Sequence, residues 1–95
     1  MKKLISISVF ISMMLSSLVM YSQKDSISLQ REARKLVREG NKLYNQKKYA
    51  DATISYKKAL EKNSSYTKAT YNLGNSLFQE KNFKEAIPQY KILTE

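Results

Sequence analysis

Residues 38–61 read REGNKLYNQKKYADATISYKKALE, and residues 72–95 read NLGNSLFQEKNFKEAIPQYKILTE. When residues 33–61 are aligned with residues 67–95, which lie 34 positions further along the chain, eight of 29 positions are identical. A period of this length is typical of proteins built from stacked repeats, which share a continuous core and present an extended surface. The sequence therefore predicts a duplicated structural unit.

Each unit carries the apolar spacing of two α-helices. Apolar and small residues recur at i, i+3, i+4 and i+7 on both sides of a polar turn at residues 46–48. The second unit repeats this spacing after the turn-forming residues 63–65. No segment alternates apolar and polar residues with the period of two that a half-buried strand requires. The sequence thus predicts an all-α fold of antiparallel helix-turn-helix pairs, with the helical pattern starting at Ser26.

The small and aromatic residues of each unit resemble those of the tetratricopeptide repeat (TPR). The small eighth residue, the small twentieth residue and the aromatic twenty-fourth residue of the two units are Gly40 and Gly74, Ala52 and Ala86, and Tyr56 and Tyr90. The resemblance implies that the helix pairs are stacked as a short right-handed TPR solenoid, with TPR 1 at residues 33–66 and a truncated TPR 2 at residues 67–95. The second unit departs from the pattern at Thr70, where the repeat usually has an aromatic residue. It also departs at Pro88, which is expected to bend the fourth helix.

The aromatic side chains of the second helix in each pair are predicted to fill the core and not to form a ligand cage. They are Tyr49, Tyr56, Phe83 and Tyr90. Nothing in the sequence covers the outer face of the fourth helix, where Ile87 and Ile92 are expected to lie. We therefore expect a truncated form of a longer protein, or a face capped by a partner or by self-association with a second copy.

The N-terminus has the layout of a secretory signal peptide. Lys2 and Lys3 precede an apolar run from residue 4 to residue 20 that contains five serines, and polar sequence follows. This pattern predicts a signal peptide at residues 1–22 that engages the export machinery, and then an N-terminal extension at residues 23–32. The protein is thus expected to be exported, to the periplasm. The alternative is an uncleaved segment that anchors it in the inner membrane.

Composition argues against most catalytic chemistry. The chain has no Cys and no His, and its eight carboxylates are scattered along the sequence. Thiolate and imidazole chemistry are therefore unavailable, and no spacing suggests a metal site. We predict that the protein is not an enzyme and uses no cofactor or metal. Its net charge of +9 favours acidic partners, but the absence of a recognised motif and the expected export argue against nucleic acid.

The TPR resemblance implies a binding groove lined by the first helix of each pair. Its predicted polar residues are Arg34, Arg38, Asn41, Asn45, Lys68, Asn72, Asn75 and Gln79, and its apolar residues are Val37, Tyr44, Tyr71 and Phe78. Amide side chains donate to and accept from a peptide backbone, and cations bind carboxylates. The sequence predicts binding of an acidic or C-terminal peptide segment, in a general peptide groove in preference to a specific clamp for the terminal carboxylate.

The segments at residues 38–44 and 69–75 are similar to those of the exported TPR proteins of Bat aerotolerance operons. That resemblance implies a scaffold in a membrane-associated complex, beside von Willebrand A domain proteins and an AAA+ ATPase. The expected function is therefore an exported interaction module that binds a protein or peptide partner, with membrane-bound proteins among the expected partners. The alternative is a structural protein of the cell envelope whose Lys-rich surface contacts anionic polymers.

Overall fold

The computed structural model describes the backbone of residues 2–95 and the side chains of residues 11–14 and 25–95. This part of the chain forms four α-helices, which are α1 (Lys2–Asn45), α2 (Tyr49–Lys62), α3 (Thr67–Gln79) and α4 (Phe83–Thr94). No strand occurs over residues 2–95, so the prediction of an all-α fold is confirmed.

The first helix is longer than the sequence pattern predicts. It begins at Lys2 and not near Ser26, because no glycine or proline precedes Gly40 to interrupt it. The predicted signal peptide at residues 1–22 falls mostly outside the residues whose side chains are described, and it stays a prediction. Among the described residues, no helix combines the length and the apolar character needed to cross a membrane.

The turns after α1 and α3 share one backbone geometry. Lys47 and Lys81 both adopt the left-handed conformation, each with a φ of 62°. After α1, the Lys47 N–H donates to the Tyr44 carbonyl and the Lys48 N–H donates to the Leu43 carbonyl, both at 2.9 Å. The equivalent 2.9 Å bonds after α3 run from Lys81 to Phe78 and from Asn82 to Leu77. This is the Schellman motif, which ends a helix by satisfying its last carbonyls. The predicted turn at residues 46–48 is confirmed.

Lys47 occupies a position that favours glycine, so we expect Lys47→Gly to stabilise the protein. A left-handed residue with a Cβ costs about 1–2 kcal/mol, part of which glycine loses again through its freer unfolded chain. The expected net gain is about 0.5–1 kcal/mol in the free energy of unfolding, measured by urea denaturation. Lys48→Gly is the control, because Lys48 has a φ of −90° and gains nothing from glycine. Equal effects of the two substitutions would contradict the prediction.

The α1–α2 hairpin closes on a contact between Gly40 and Tyr56. A Cβ built on Gly40 would lie 2.5 Å from Cε1 of Tyr56, which is too close for two carbon atoms that are not bonded to each other. Glycine therefore lets the aromatic ring lie directly against the α1 backbone. At the other end of the hairpin, an exposed ion pair joins Glu32 and Lys62 at 3.4 Å. Contacts that lie earlier in α1 are therefore made with residues that lie later in α2, so the two helices are antiparallel.

The α3–α4 hairpin repeats this packing. A Cβ on Gly74 would lie 2.8 Å from Cε1 of Tyr90. Closer to the turn, the rings of Phe78 and Phe83 meet edge to face with their centroids 5.2 Å apart. These two contacts make α3 and α4 antiparallel as well. The hairpins then pack together through α2 and α3.

The buried core is small and dominated by alanine. Tyr56, at 1 % exposure, is its single aromatic side chain among the described residues. The buried apolar residues are Ala33, Val37, Ala52, Tyr56, Ala59, Ala69, Leu73, Leu77 and Ala86. Small side chains let the helix backbones approach closely, and the tyrosine ring then fills the space between them.

A buried polar cluster joins the two hairpins. The Thr53 hydroxyl of α2 lies 2.8 Å from Oγ of Ser76 on α3 and 2.7 Å from Oε2 of Glu80 at the end of α3. The Ser76 hydroxyl also lies 3.0 Å from the Leu73 carbonyl. Because both hydroxyl groups are buried, these contacts fix the register of α2 against α3: a shift would leave polar atoms without partners.

The aromatic residue at the start of α4, Phe83, is more exposed than predicted. Tyr56 is buried and Tyr49 and Tyr90 are half-buried, but Phe83 is 46 % exposed. The prediction that Phe83 fills the core is therefore wrong, because no described element packs over the outer face of α4. The expected exposure of Ile87 and Ile92 is confirmed. The helix continues through Pro88 to Thr94, and the bend expected at Pro88 stays a prediction.

Candidate functional site

Four asparagines converge on one cleft between α1 and α3. Two lie on successive turns of α1 and two lie on α3, so both hairpins contribute to the site. The cleft has a volume of about 260 Å³ and is lined by Asn41, Tyr44, Asn45, Tyr56, Asn72 and Asn75. All four asparagines belong to the predicted groove, and the structure brings them together.

A shared acceptor orients the amides at the centre of the cleft. The Tyr56 hydroxyl donates to Oδ1 of Asn41 at 2.7 Å, and Nδ2 of Asn72 donates to the same oxygen at 3.0 Å. Since Oδ1 of Asn41 receives both bonds, its Nδ2 group is directed elsewhere and has no partner among the described residues. The Asn72 carbonyl oxygen likewise has no partner there, so the cleft offers one free donor group and one free acceptor.

The second hairpin contains the same tyrosine–asparagine pair. The Tyr90 hydroxyl donates to Oδ1 of Asn75 at 2.6 Å, which leaves Nδ2 of Asn75 free among the described residues. Asn45 forms no hydrogen bond in the same part of the chain, so its whole amide is available. The cleft therefore presents several amide donors and acceptors together, the pattern needed to pair with the N–H and C=O groups of a peptide.

Burial raises the pKa of the two tyrosine hydroxyls that donate to the asparagines. Desolvation, with a smaller contribution from Tyr44, raises the pKa of Tyr56 to about 12. Desolvation also raises the pKa of Tyr90, with smaller contributions from Tyr71 and Tyr44. Both hydroxyls are neutral donors at physiological pH, as ordinary phenols are, and they stay neutral to a higher pH than an exposed tyrosine.

The raised pKa of Tyr56 predicts a loss of stability at high pH. The unfolded chain releases the phenol proton near pH 10 while the folded chain retains it to about pH 12. The folded state then binds more protons than the unfolded state, so stability falls as pH rises through this window. We expect the stability difference between the parent and Tyr56→Phe to shrink between about pH 10 and 12, measured by urea denaturation. A constant difference would contradict the assignment.

The predicted cations do not line the cleft. Arg34 lines a separate cleft of about 90 Å³ with Gln30, Asn63 and Tyr66. Arg38, Lys68 and Gln79 are exposed outside the asparagine cleft. The expectation that cations and amides form one contact surface is met only for the four asparagines.

Among the apolar residues predicted to line the groove, the prediction for Val37 is wrong. It is 4 % exposed and belongs to the core, since it faces inward on α1. Tyr44 lines the cleft, whereas Tyr71 and Phe78 are exposed and do not. Tyr71 instead meets the ring of Tyr90 edge to face, with centroids 6.3 Å apart.

One cleft residue was missed as a site residue. Tyr56 is predicted as a core side chain only, yet its hydroxyl reaches the cleft and orients Asn41. The signal was available in the sequence, because both units place a tyrosine 15 residues after the asparagine with which it pairs.

No protein-family model matches the chain, and it has no match among the curated proteins or the solved structures.

Proposed function

We propose that the protein is an exported TPR module that binds an extended peptide segment of a partner protein in the cleft between α1 and α3. The observation that carries this proposal is the convergence of four asparagine amides on one cleft, two of them oriented by tyrosine hydroxyls. Amide side chains of this kind pair with a peptide main chain without requiring a particular sequence. In this role the protein is a scaffold and not a catalyst.

The solenoid part of the proposal is supported by contacts that recur at the sequence period. The pairs Gly40–Tyr56 and Gly74–Tyr90 differ by 34 residues at both members, as do Asn41–Tyr56 and Asn75–Tyr90. A second hairpin built as a copy of the first is the arrangement expected of a TPR array.

The cations supply a preference for acidic residues at one end of the bound peptide. Arg34, Arg38, Asn41 and Asn45 follow the spacing i, i+4, i+7 and i+11 on α1, and so share one helix face. Lys68, Asn72, Asn75 and Gln79 share the same spacing on α3. On each helix the cations precede the asparagines in the sequence. If the asparagine amides hold the main chain of a bound peptide, an acidic side chain next to that segment would face the cations.

The test is to select binders for the full chain from a library of acidic peptides and to measure their affinities by fluorescence anisotropy. We expect the double variant Asn45→Ala/Asn72→Ala to bind the selected peptides with an affinity about tenfold lower or more, since each lost hydrogen bond costs about 0.5–1.5 kcal/mol. Gln46→Ala is the matched control, because its exposed amide lies outside the cleft. Arg38→Glu/Lys68→Glu should weaken acidic peptides more than neutral ones. Unchanged binding in both double variants would overturn the proposal.

A second candidate function is contact with anionic polymers of the cell envelope. It is favoured by the net charge of +9 and by the presence of only two ion pairs among the described residues. Salt separates the two functions, because contacts between exposed charges are screened within about 10 Å at 0.1 M salt. A polymer held by lysines should be released steeply as salt rises, whereas a peptide hydrogen-bonded in the cleft should be retained.

A further inference from the structure

The outer face of α4, formed by Phe83, Ile87 and Lys91, has no covering element among the described residues, apart from the edge contact of the Phe83 ring with Phe78 of α3. Phe83 is 46 % exposed and Ile87 is 53 % exposed. Large apolar side chains exposed next to each other mark a site of protein contact more often than singly exposed ones.

The first hairpin shows how the equivalent face of α2 is covered. Thr53, which lies 34 residues before Ile87, is only 6 % exposed because α3 packs over it and brings Ser76 within 2.8 Å. Tyr49, the equivalent of Phe83, is half-buried. An amphipathic helix thus covers the α2 face, and the α4 face offers the same geometry, with an isoleucine in place of the threonine.

The charge beside this face also has a precedent in the first hairpin. Lys57 of α2 pairs with Glu85, a residue of the covering hairpin, at 3.4 Å. Lys91 is the equivalent of Lys57 in the second hairpin, and it forms no ion pair with any described residue. The element that fits over α4 therefore carries a carboxylate in the place that Glu85 occupies.

A second copy of the chain fits this face poorly. If α1 of a second copy took the place of α3, Glu39 and Lys42 would lie at the positions of Leu73 and Ser76. Two charged side chains would then be buried against Ile87, which is unfavourable. A two-fold contact between two α4 helices would instead bring Lys84 close to Lys91 of the other copy, because these lysines flank Ile87 in both. Like charges make that contact unfavourable.

We propose that the outer face of α4 binds an amphipathic helix of a partner protein together with the acidic turn segment that follows that helix. The apolar stripe of that helix packs on Phe83 and Ile87, with small residues where Ser76 lies in α3. A carboxylate beyond its turn, in the place of Glu85, pairs with Lys91. This surface is separate from the asparagine cleft, so the protein has two contact sites of different chemistry.

The test uses the full chain and a fluorescent synthetic peptide that copies residues 65–86 with Ser76→Ala. This peptide carries the covering stripe of α3 and Glu85, and although it includes Phe83 it lacks Ile87 and Lys91, so it does not carry the complete docking face. We expect saturable binding that Ile87→Glu weakens by about tenfold or more. Ile54→Glu is the matched control, since Ile54 is 52 % exposed on α2, away from this face. Ile87 is itself exposed, and circular dichroism checks that both variants stay folded.

A charge exchange tests the position of the carboxylate. Lys91→Glu in the chain should weaken binding of the peptide. Glu85→Lys in the peptide should then restore binding to that variant. The proposal is overturned if the parent chain does not bind the peptide, or if the two isoleucine variants lose the same affinity. It is also overturned if sedimentation shows a dimer that Ile87→Glu dissociates, because the face then belongs to a second copy.

Discussion

Replacing Tyr56 with alanine is expected to abolish the cooperative unfolding transition of the protein. Removing a buried aromatic side chain costs about 3–5 kcal/mol, through lost burial and the cavity left behind. A core this small supplies only about that much net stability. Tyr56 is also the single fully buried aromatic residue in the alanine-rich core of the described chain, so its loss removes the largest side chain there. Thermal melting followed by circular dichroism measures the loss.

Two companion substitutions separate the contributions of Tyr56. Tyr56→Phe keeps the ring and removes the hydrogen bond to Asn41, so it should cost about 1 kcal/mol. Tyr71→Ala removes a tyrosine that is 53 % exposed, and it should leave the transition intact. If Tyr56→Ala melted cooperatively near the parent temperature, the ring would not be the main support of the core.

The second large effect is expected for Gly40→Ala. The new methyl group would meet the Tyr56 ring, which is held by its burial and by its bond to Asn41 and cannot move aside. Overpacking of a rigid contact costs about 1–3 kcal/mol, while alanine returns about 1 kcal/mol of helix propensity. The expected net destabilisation is about 1–2 kcal/mol, measured by urea denaturation.

Gly74→Ala is the matched comparison in the second hairpin. The added Cβ would meet Tyr90 at 2.8 Å, a slightly looser contact than that at Gly40. Tyr90 is half-buried, and nothing described packs over the outer face of α4, so that helix can shift outward. We therefore expect a net effect close to zero. A larger loss at Gly74 than at Gly40 would contradict this account of how the hairpins are held.

The helices and turns follow from the sequence because local patterns determine them. The apolar spacing predicts α2, α3 and the start of α4 to within a residue or two, and the polar run at residues 46–48 predicts the first turn. The start of α1 does not follow from that pattern. Amphipathic spacing begins only at Ser26, whereas helix continuity depends on the absence of glycine and proline.

Burial and side-chain pairing are less accessible to sequence reasoning. Val37 and Arg38 are neighbours in the sequence, yet one is buried and the other exposed, and a groove assigned by repeat position does not distinguish them. Phe83 resembles Tyr49 in type and spacing, but its burial depends on an element that would pack over α4. The asparagines were predicted as a set, while their orientation depends on hydroxyl groups contributed by the opposite helix of each hairpin.

The hydrogen bond from Asn72 to Asn41 joins amides of two different hairpins. The width of the cleft therefore depends on the spacing between the two hairpins. A ligand that bonds to α1 and α3 together makes the hairpins harder to separate, and by thermodynamic reciprocity any change in their spacing alters the affinity for that ligand.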